Sequence, residues 1–228
     1  MTERIYVWDP LVRIFHWSLV LTFIVCYLTG DEENLTHAWS GYIILGLVAF
    51  RIVWGFIGSK HARFSDFITS PATAIVSMKD MMAGKAKKYI GHNPVGGWMV
   101  IALLVSLILT GLSGLQVYGL EGYGPLAGNA PLQVTSMQLS DVSNAVERRY
   151  KDDDDDEHAR DHDARESDEH EGGEGEEDYW EEFWEEIHEF LANFTVLLIA
   201  LHITGVIVSS VRENQNLIKA MFTGYKEE

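Results

Sequence analysis

Four long apolar runs, separated by polar segments, dominate the pattern of this chain. They cover residues 11–29, 37–56, 98–118 and 187–211. Each is close to the length of about 20 residues that a helix needs to cross roughly 30 Å of hydrocarbon. Soluble domains rarely contain four runs of this length. The pattern predicts an all-α integral membrane protein, in which four transmembrane helices form a bundle.

The polar segments differ in charge, and this difference predicts the orientation. Residues 58–97 carry six Lys and Arg, and further basic residues precede the first run and follow the fourth. The link 30–36 and the long link after the third run are acidic. Because positive charge marks the cytoplasmic side, both termini are predicted to be cytoplasmic and the two acidic links to face outward.

The cytoplasmic link contains one further candidate helix, residues 71–88 (PATAIVSMKDMMAGKAKK). Its Met, Ile and Val side chains could rest on the membrane surface while its lysines meet anionic headgroups. An ordinary loop helix packed on the protein explains the same pattern. The sequence leaves both interpretations open.

The negative charge of the chain is confined to one stretch. Residues 141–186 contain 22 acidic and five basic residues, a net charge of −17 that equals the net charge of the whole protein. We therefore expect a single membrane domain over residues 1–228 with an outward loop at 119–186, in which about 141–178 form an acidic, disordered insert. This insert could be a solvated tether, a docking surface for a positively charged partner, or a metal chelator built on His158, His162 and His170.

Nine histidines are present, and four of them fall in or at the ends of the apolar runs: His16, His37, His188 and His202. An ionisable residue in a membrane helix is costly and usually functional. The 14 residues from His188 to His202 span roughly 21 Å of helix and return the side chain to within about 40° of its starting direction. Depth in the membrane pairs His16 with His202 and His37 with His188.

Two imidazoles from different helices at one depth form an axial pair for a haem iron, although imidazole also binds other metals. Cys26 is the only cysteine, which excludes a C-x-x-C-H attachment motif, so any haem is held non-covalently. Arg13 and Arg51 could pair with haem propionates, or could extend to the interface. Glycines on the helices would admit a flat macrocycle or serve tight helix packing: Gly41, Gly46, Gly111, Gly114 and Gly205.

Several motifs, in order along the chain, resemble bacterial cytochrome b561 proteins and hydrogenase-type cytochrome b subunits. They are V-W-D-P-L-V-R-I-F-H-W (7–17), H-A-W-S-G-Y (37–42), F-R-I-V-W-G-F-I-G (50–58), H-A-R-F (61–64), G-H-N-P-V-G-G (91–97), H-E-F-L-A-N (188–193), L-H-I-T-G (201–205) and E-N-Q-N-L-I-K-A-M-F-T-G (213–224). The resemblance covers nearly all of the chain except the acidic stretch.

This resemblance implies a four-helix bundle in a bacterial inner membrane with two haem b groups, whose ligand positions fall on His16, His37, His188 and His202. It also implies electron transfer, as a quinone-linked oxidoreductase, between the quinone pool and a redox protein such as a periplasmic cytochrome c. Two alternatives remain: a metal-ion transporter or sensor, and a membrane haem enzyme that oxidises a small substrate such as superoxide. His92 and His61 are weaker candidates; we expect His92 to be structural or to lie near a propionate or quinone.

Overall fold

The computed structural model describes residues 4–30, 35–85, 87–127 and 171–227, with the backbone alone for 171–178 and 227. The acidic insert up to residue 170, with His158, His162 and His170, lies outside the described residues. In chain order, the elements are β1 (Arg4–Tyr6), α1 (Pro10–Leu28), α2 (Leu35–Ile57), a 3-10 turn (Lys60–Ala62), α3 (Phe64–Phe67), α4 (Pro71–Met82), α5 (Pro94–Leu120), α6 (Glu171–Arg212), α7 (Leu217–Thr223) and β2 (Tyr225–Glu227).

Four of these helices, α1, α2, α5 and α6, are long and apolar enough to span a membrane. The four predicted spans are therefore confirmed as helices, with ends that differ from the expected ones by a few residues in α1, α2 and α5. The fourth helix differs most, because it begins at Glu171 rather than near residue 187. Hydropathy marks only the part of a helix that lies in hydrocarbon, whereas the backbone hydrogen bonds of α6 continue into the acidic segment.

The chain divides into two compact units, Met1–Leu112 with Glu189–Glu228, and Ser113–His188. In the first unit, parts of α1, α2 and α5 pack around the buried side chains of Ile44, Val48, Leu104 and Leu107. Leu19, Phe23 and Cys26 of α1 lie against this core. Most other large apolar side chains of the spans are exposed, as expected where helices face lipid rather than water.

Hydroxyl groups connect α5 to α6 in the first unit. Thr195, which is fully buried, lies 2.5 Å from the Ser106 hydroxyl oxygen and 3.2 Å from that of Thr110. Thr195 also donates to the carbonyl of Leu191, one turn earlier. In a membrane, where apolar contacts distinguish little between helix and lipid, such interhelical hydrogen bonds help to hold two helices together.

The segments that flank the first and fourth spans meet in a small antiparallel sheet. Arg4 pairs with Glu227 and Tyr6 with Tyr225. Behind the sheet, Trp8, Val12 and Ala220 belong to a second buried cluster. These two flanking segments therefore lie on the same side of the membrane.

Asp9 explains the W-D-P motif at the start of α1. Its Oδ1 accepts a hydrogen bond of 2.9 Å from the backbone N–H of Val12, which makes Asp9 the N-cap residue. Its Oδ2 accepts from the Trp54 indole at 3.3 Å and from the Ser59 hydroxyl. One carboxylate thus ties the start of α1 to the end of α2. Burial alone would raise the pKa of Asp9, but the hydrogen bonds, that from Ser59 foremost, lower it below the ordinary value of 3.8.

We expect Asp9→Ala to lower the free energy of unfolding by about 2 kcal/mol, because it removes the helix cap and leaves two donors without their acceptor. Since the pKa of folded Asp9 is depressed, its contribution is present above the ordinary pKa near 4 and is lost as the pH falls through the folded value. Thermal unfolding in detergent at pH 7 checks the substitution. Asp9→Asn, which keeps the capping oxygen but not the charge, should lose less; equal losses for the two variants would contradict the role of the capping oxygen.

Candidate functional site

His16 and His202 come together in the first unit. Their imidazoles, on α1 and α6, are close enough to interact electrostatically. The Nδ1 of His16 is buried and has no hydrogen-bond partner among the described residues. The Trp17 indole contacts the His16 ring edge-on, with 5.1 Å between centroids. Two neighbouring imidazoles, of which one has a buried unpartnered nitrogen, fit the predicted axial pair.

His37 has one ring nitrogen held by the backbone. Its Nδ1 lies 2.9 Å from the carbonyl oxygen of Cys26, eleven residues earlier. Because a carbonyl can only accept, this contact places the proton on Nδ1 and leaves Nε2 with its lone pair. Metal-ligating histidines are commonly oriented by such a bond to a carbonyl. The geometry of His37 therefore fits a ligand that binds through Nε2.

His188, in the second unit, is positioned by two neighbours on α5. Its Nδ1 lies 3.0 Å from the hydroxyl oxygen of Ser113. Gly114 leaves space for the ring: a Cβ at this position would lie 2.8 Å from Cε1 of His188 and 3.2 Å from its Nδ1. Ser113 thus sets the rotation of the imidazole, and Gly114 sets how closely the ring approaches α5. Sequence spacing identified His188 but not Ser113, since the contact joins residues 75 positions apart.

The glycines divide into two groups when an added Cβ is considered. At Gly41, Gly46 and Gly205 it would meet nothing within 4 Å, so open space adjoins these backbones. At Gly111 it would run into the Leu45 side chain. Space beside the first three fits a flat macrocycle, whereas Gly111 serves close packing of α5 against α2.

Arg51 is a buried cation in α2 with part of its guanidinium unpartnered. It is 3% exposed, and its Nη1 has no hydrogen-bond partner among the described residues. Its Cζ lies 5.1 Å from the Phe64 ring centroid and 6.0 Å from that of Phe67. Aromatic faces offset only part of the cost of burying this charge. An additional acceptor, such as a propionate, fits the unpartnered nitrogen.

Arg13 already has a protein partner. Its Nη1 donates a 2.7 Å hydrogen bond to the carbonyl of Phe222, in the last turn of α7, while its Nε is buried without a partner among the described residues. A cation at a helix C-terminus is favourable because the last carbonyls lack intrahelical donors. Arg13 therefore joins α1 to α7, and its buried Nε is a donor that a propionate could use.

His92 lies between two aromatic rings just before α5. Its ring centroid is 4.6 Å from those of Trp8 and Phe67. The side chain keeps some accessible surface, but its Nδ1 is enclosed and has no partner among the described residues. Burial, reinforced by the positive charges of Arg51 and Lys226, lowers the pKa of His92 to about 3. His92 is therefore neutral at physiological pH, with a free lone pair or N–H directed into the protein.

His61 differs from His92 because it has a carboxylate partner. Its Nδ1 is 2.9 Å from Oδ2 of Asp66. A Cβ added at Gly91 would lie 3.2 Å from the same nitrogen. The segments that contain His61 and His92 therefore lie close together, and the pairing with Asp66 favours a structural role for His61.

Lys226 is a residue whose position the sequence did not indicate. Although it lies near the end of the chain, it is 7% exposed, and its Nζ donates to the carbonyls of Tyr89 at 3.1 Å and Gly91 at 2.9 Å. The ammonium lies 5.8 Å from the Trp8 ring centroid. Burial lowers its pKa, against the opposing effect of the Glu213 carboxylate. Lys226 thus fixes the loop that carries His92.

Four helices of membrane-spanning length, three of which carry histidines, define an integral membrane protein. Comparison with known families gives a more specific result. A family model described as prokaryotic cytochrome b561 matches residues 7–224. The chain belongs to this family, which confirms the resemblance of its motifs and makes it a membrane b-type cytochrome with haem as its cofactor.

Similar curated proteins carry one description, probable Ni/Fe-hydrogenase B-type cytochrome subunit. The match in Azotobacter vinelandii is 25% identical over 150 residues, 53% of this chain and 61% of the relative. That in Rhizobium leguminosarum bv. viciae is 23% identical over 150 residues, 54% and 62% of the two chains. That in Rhodobacter capsulatus is 26% identical over 152 residues, 54% and 56%. The matches thus span about three fifths of these relatives. No solved structure matches the chain.

Proposed function

We propose that this protein transfers electrons across the bacterial inner membrane through two bis-histidine b haems, between membrane quinone or quinol and a redox protein on the outer side. The observation that carries the proposal is the state of the four intramembrane histidines. His37 has Nδ1 bound to a carbonyl and His188 has Nδ1 beside a hydroxyl, while His16 and His202 interact electrostatically in the first unit. Family membership supports the choice of haem over another metal.

In this proposal, His16 and His202 hold one haem in the half near the termini, and His37 and His188 hold the other in the outer half. The pairing of His37 with His188 rests on the equal depth in the membrane that the sequence predicts for them. Bound haem supplies a one-electron Fe(III)/Fe(II) couple. The protein supplies imidazole ligands fixed in orientation by Cys26 and Ser113, a low dielectric, and a buried cation that compensates a propionate.

We further propose that both termini are cytoplasmic. The exposed lysines and the one arginine, Arg63, between α2 and α5 support this orientation, because basic links are retained on the cytoplasmic side. The His16–His202 haem then lies nearer the cytoplasm, and the acidic link before α6 faces outward. The relatives are described as hydrogenase subunits. For this chain we propose a soluble partner with a basic face, such as a cytochrome c, because of the acidic link.

Transfer through the membrane is tested with purified protein in sealed liposomes. We expect two haems per chain in the pyridine haemochrome assay, and reduction of a non-permeant acceptor on one side by quinol in the bilayer. Transfer should stop when haem is omitted during expression. A colourless protein, or one that binds metal ions without haem, would contradict the proposal.

The docking part of the proposal has its own test. Opposite charges accelerate encounter, and salt screens them over about 10 Å at 0.1 M. Deleting residues 151–175 should therefore leave both haems in place and slow cytochrome c reduction at least tenfold at low salt, with little change at high salt. Equal rates for the deletion and the parent at low salt would rule out docking through this stretch.

Arg51 is expected to set the potential of the His16–His202 haem. A buried positive charge favours the reduced iron, so Arg51→Gln should lower this potential by roughly 60 mV, which corresponds to tenfold in a one-electron equilibrium. A spectroscopic redox titration measures the change. Arg63→Gln, at an exposed arginine of the link that follows α2, is the matched control and should leave both potentials in place.

A further inference from the structure

Helix α4 presents an apolar face that no part of the described protein covers. Ile75, Met78 and Met82 recur at helical spacing on one side, and they are 49%, 42% and 74% exposed. The neighbouring Val76 is 57% exposed. The stripe about 100° round the helix, Ala74, Ser77 and Met81, is partly buried against the rest of the first unit. An apolar face of this kind on a surface helix needs a partner.

Both ends of α4 are held at the level where membrane helices end. Before its first turn, the carbonyl of Thr69 accepts a 3.1 Å hydrogen bond from the indole of Trp98, which lies in the first turn of α5. At its other end, the Ser209 hydroxyl lies 3.5 Å from the sulfur of Met81. Ser209 belongs to the last turn of α6. Because α4 is pinned to the ends of two spans, it runs along the interface instead of projecting away from it.

The charges around α4 indicate what kind of surface covers its apolar face. Four lysines, Lys79, Lys85, Lys87 and Lys88, are all exposed, and Asp80 is the only acidic residue among positions 71–88. The segment thus has a net charge of +3. Apolar side chains beside exposed lysines, at the height of an interfacial tryptophan, match a phospholipid surface with anionic headgroups.

We propose that α4 is an in-plane membrane anchor: its face of Ile75, Met78 and Met82 inserts at the acyl boundary, and its lysines bind the phosphates of anionic phospholipids. This inference does not depend on haem or on electron transfer. It also holds whichever leaflet contains the ends of α4, because it uses only the position of α4 beside α5 and α6. A helix of 12 residues, about 18 Å long, covers several headgroups.

The depth of α4 can be measured on the full-length protein in lipid nanodiscs. The variants Met78→Cys and Met82→Cys are each labelled with an environment-sensitive fluorophore. The parent protein, which has only Cys26, gives the background signal. Thr73→Cys is the matched control, because residue 73 lies nine positions before 82 and therefore half a turn round the helix. We expect lipids with nitroxide near the acyl boundary to quench the labels at 78 and 82, but not the label at 73.

The charge dependence is tested by comparing nanodiscs of phosphatidylcholine with nanodiscs containing phosphatidylglycerol. A lysine near an anionic surface contributes roughly a fivefold preference. We expect phosphatidylglycerol to slow hydrogen exchange of the α4 amides about tenfold in the parent. The effect should vanish when the four lysines are replaced by glutamine.

Two results would overturn the anchor. The first is a label at residue 82 that is as accessible to water as the label at 73. The second is a shielded label that lipid nitroxides do not quench, which would show that a second copy of the chain covers this face.

Discussion

His202→Ala is expected to reduce the haem content from two to one per chain and to leave the spectrum of the outer haem in place. The imidazole of His202 is near enough to that of His16 to interact with it electrostatically, and in the proposed function the two would hold one haem between them. A non-covalent haem would be retained poorly without one of its two ligands. His16→Ala should give the same product, because either substitution breaks the same pair. Pyridine haemochrome content and low-temperature α-band spectra measure both variants.

The control for this experiment is His92→Ala. The ring of His92 is also enclosed, and it interacts electrostatically with His202. It lies before α5, however, between the Trp8 ring, which it meets edge-on, and the tilted Phe67 ring, and not in a span. We expect this variant to lower stability and to keep both haems. If His92→Ala removed a haem while His202→Ala did not, the assignment of the ligands would be wrong.

The spans were predictable because the physical requirement for them is local. Any helix that crosses hydrocarbon must form the hydrogen bonds of its own backbone internally and place about 20 mostly apolar residues in the hydrocarbon. The ends were less predictable, since caps and glycines determine them. Helix α4 stops at Met82 instead of near Lys88, because Gly84 follows with a φ of +74°, a left-handed conformation that ends a helix.

The environment of the candidate site was only partly predictable. The sequence identified histidines by depth, but it could not reveal that Cys26 offers its carbonyl to His37 or that Phe222 occupies one nitrogen of Arg13. The second contact joins residues 209 positions apart. The pairing of β1 with β2 was missed for the same reason, because three-residue strands have no periodic pattern and the partners lie at opposite ends of the chain.

The second large effect concerns the haem proposed for the outer half of the membrane. His188→Ala should remove it and leave the His16–His202 haem, again giving one haem per chain. His37→Ala should do the same if His37 and His188, at equal depth in the membrane, hold the same haem. A His188→Ala protein that retained both haems would refute the pairing of His37 with His188.

A substitution that leaves the ligand itself intact makes this test sharper. In Gly114→Ala, the new methyl would lie 2.8 Å from Cε1 of His188, so the imidazole must move away from its position. We expect outer-haem occupancy to fall at least fivefold, because a ligand displaced by a fraction of an ångström no longer bonds the iron at its preferred distance.

Gly111→Ala, one turn earlier in α5, is the matched control. Its methyl would run into Cδ2 of Leu45 and lie 2.8 Å from Cγ of the same side chain, so the substitution disturbs the packing of α5 against α2 instead of His188, and both haems should remain. Loss of the outer haem in both variants would assign the effect to packing of α5 and not to the position of His188.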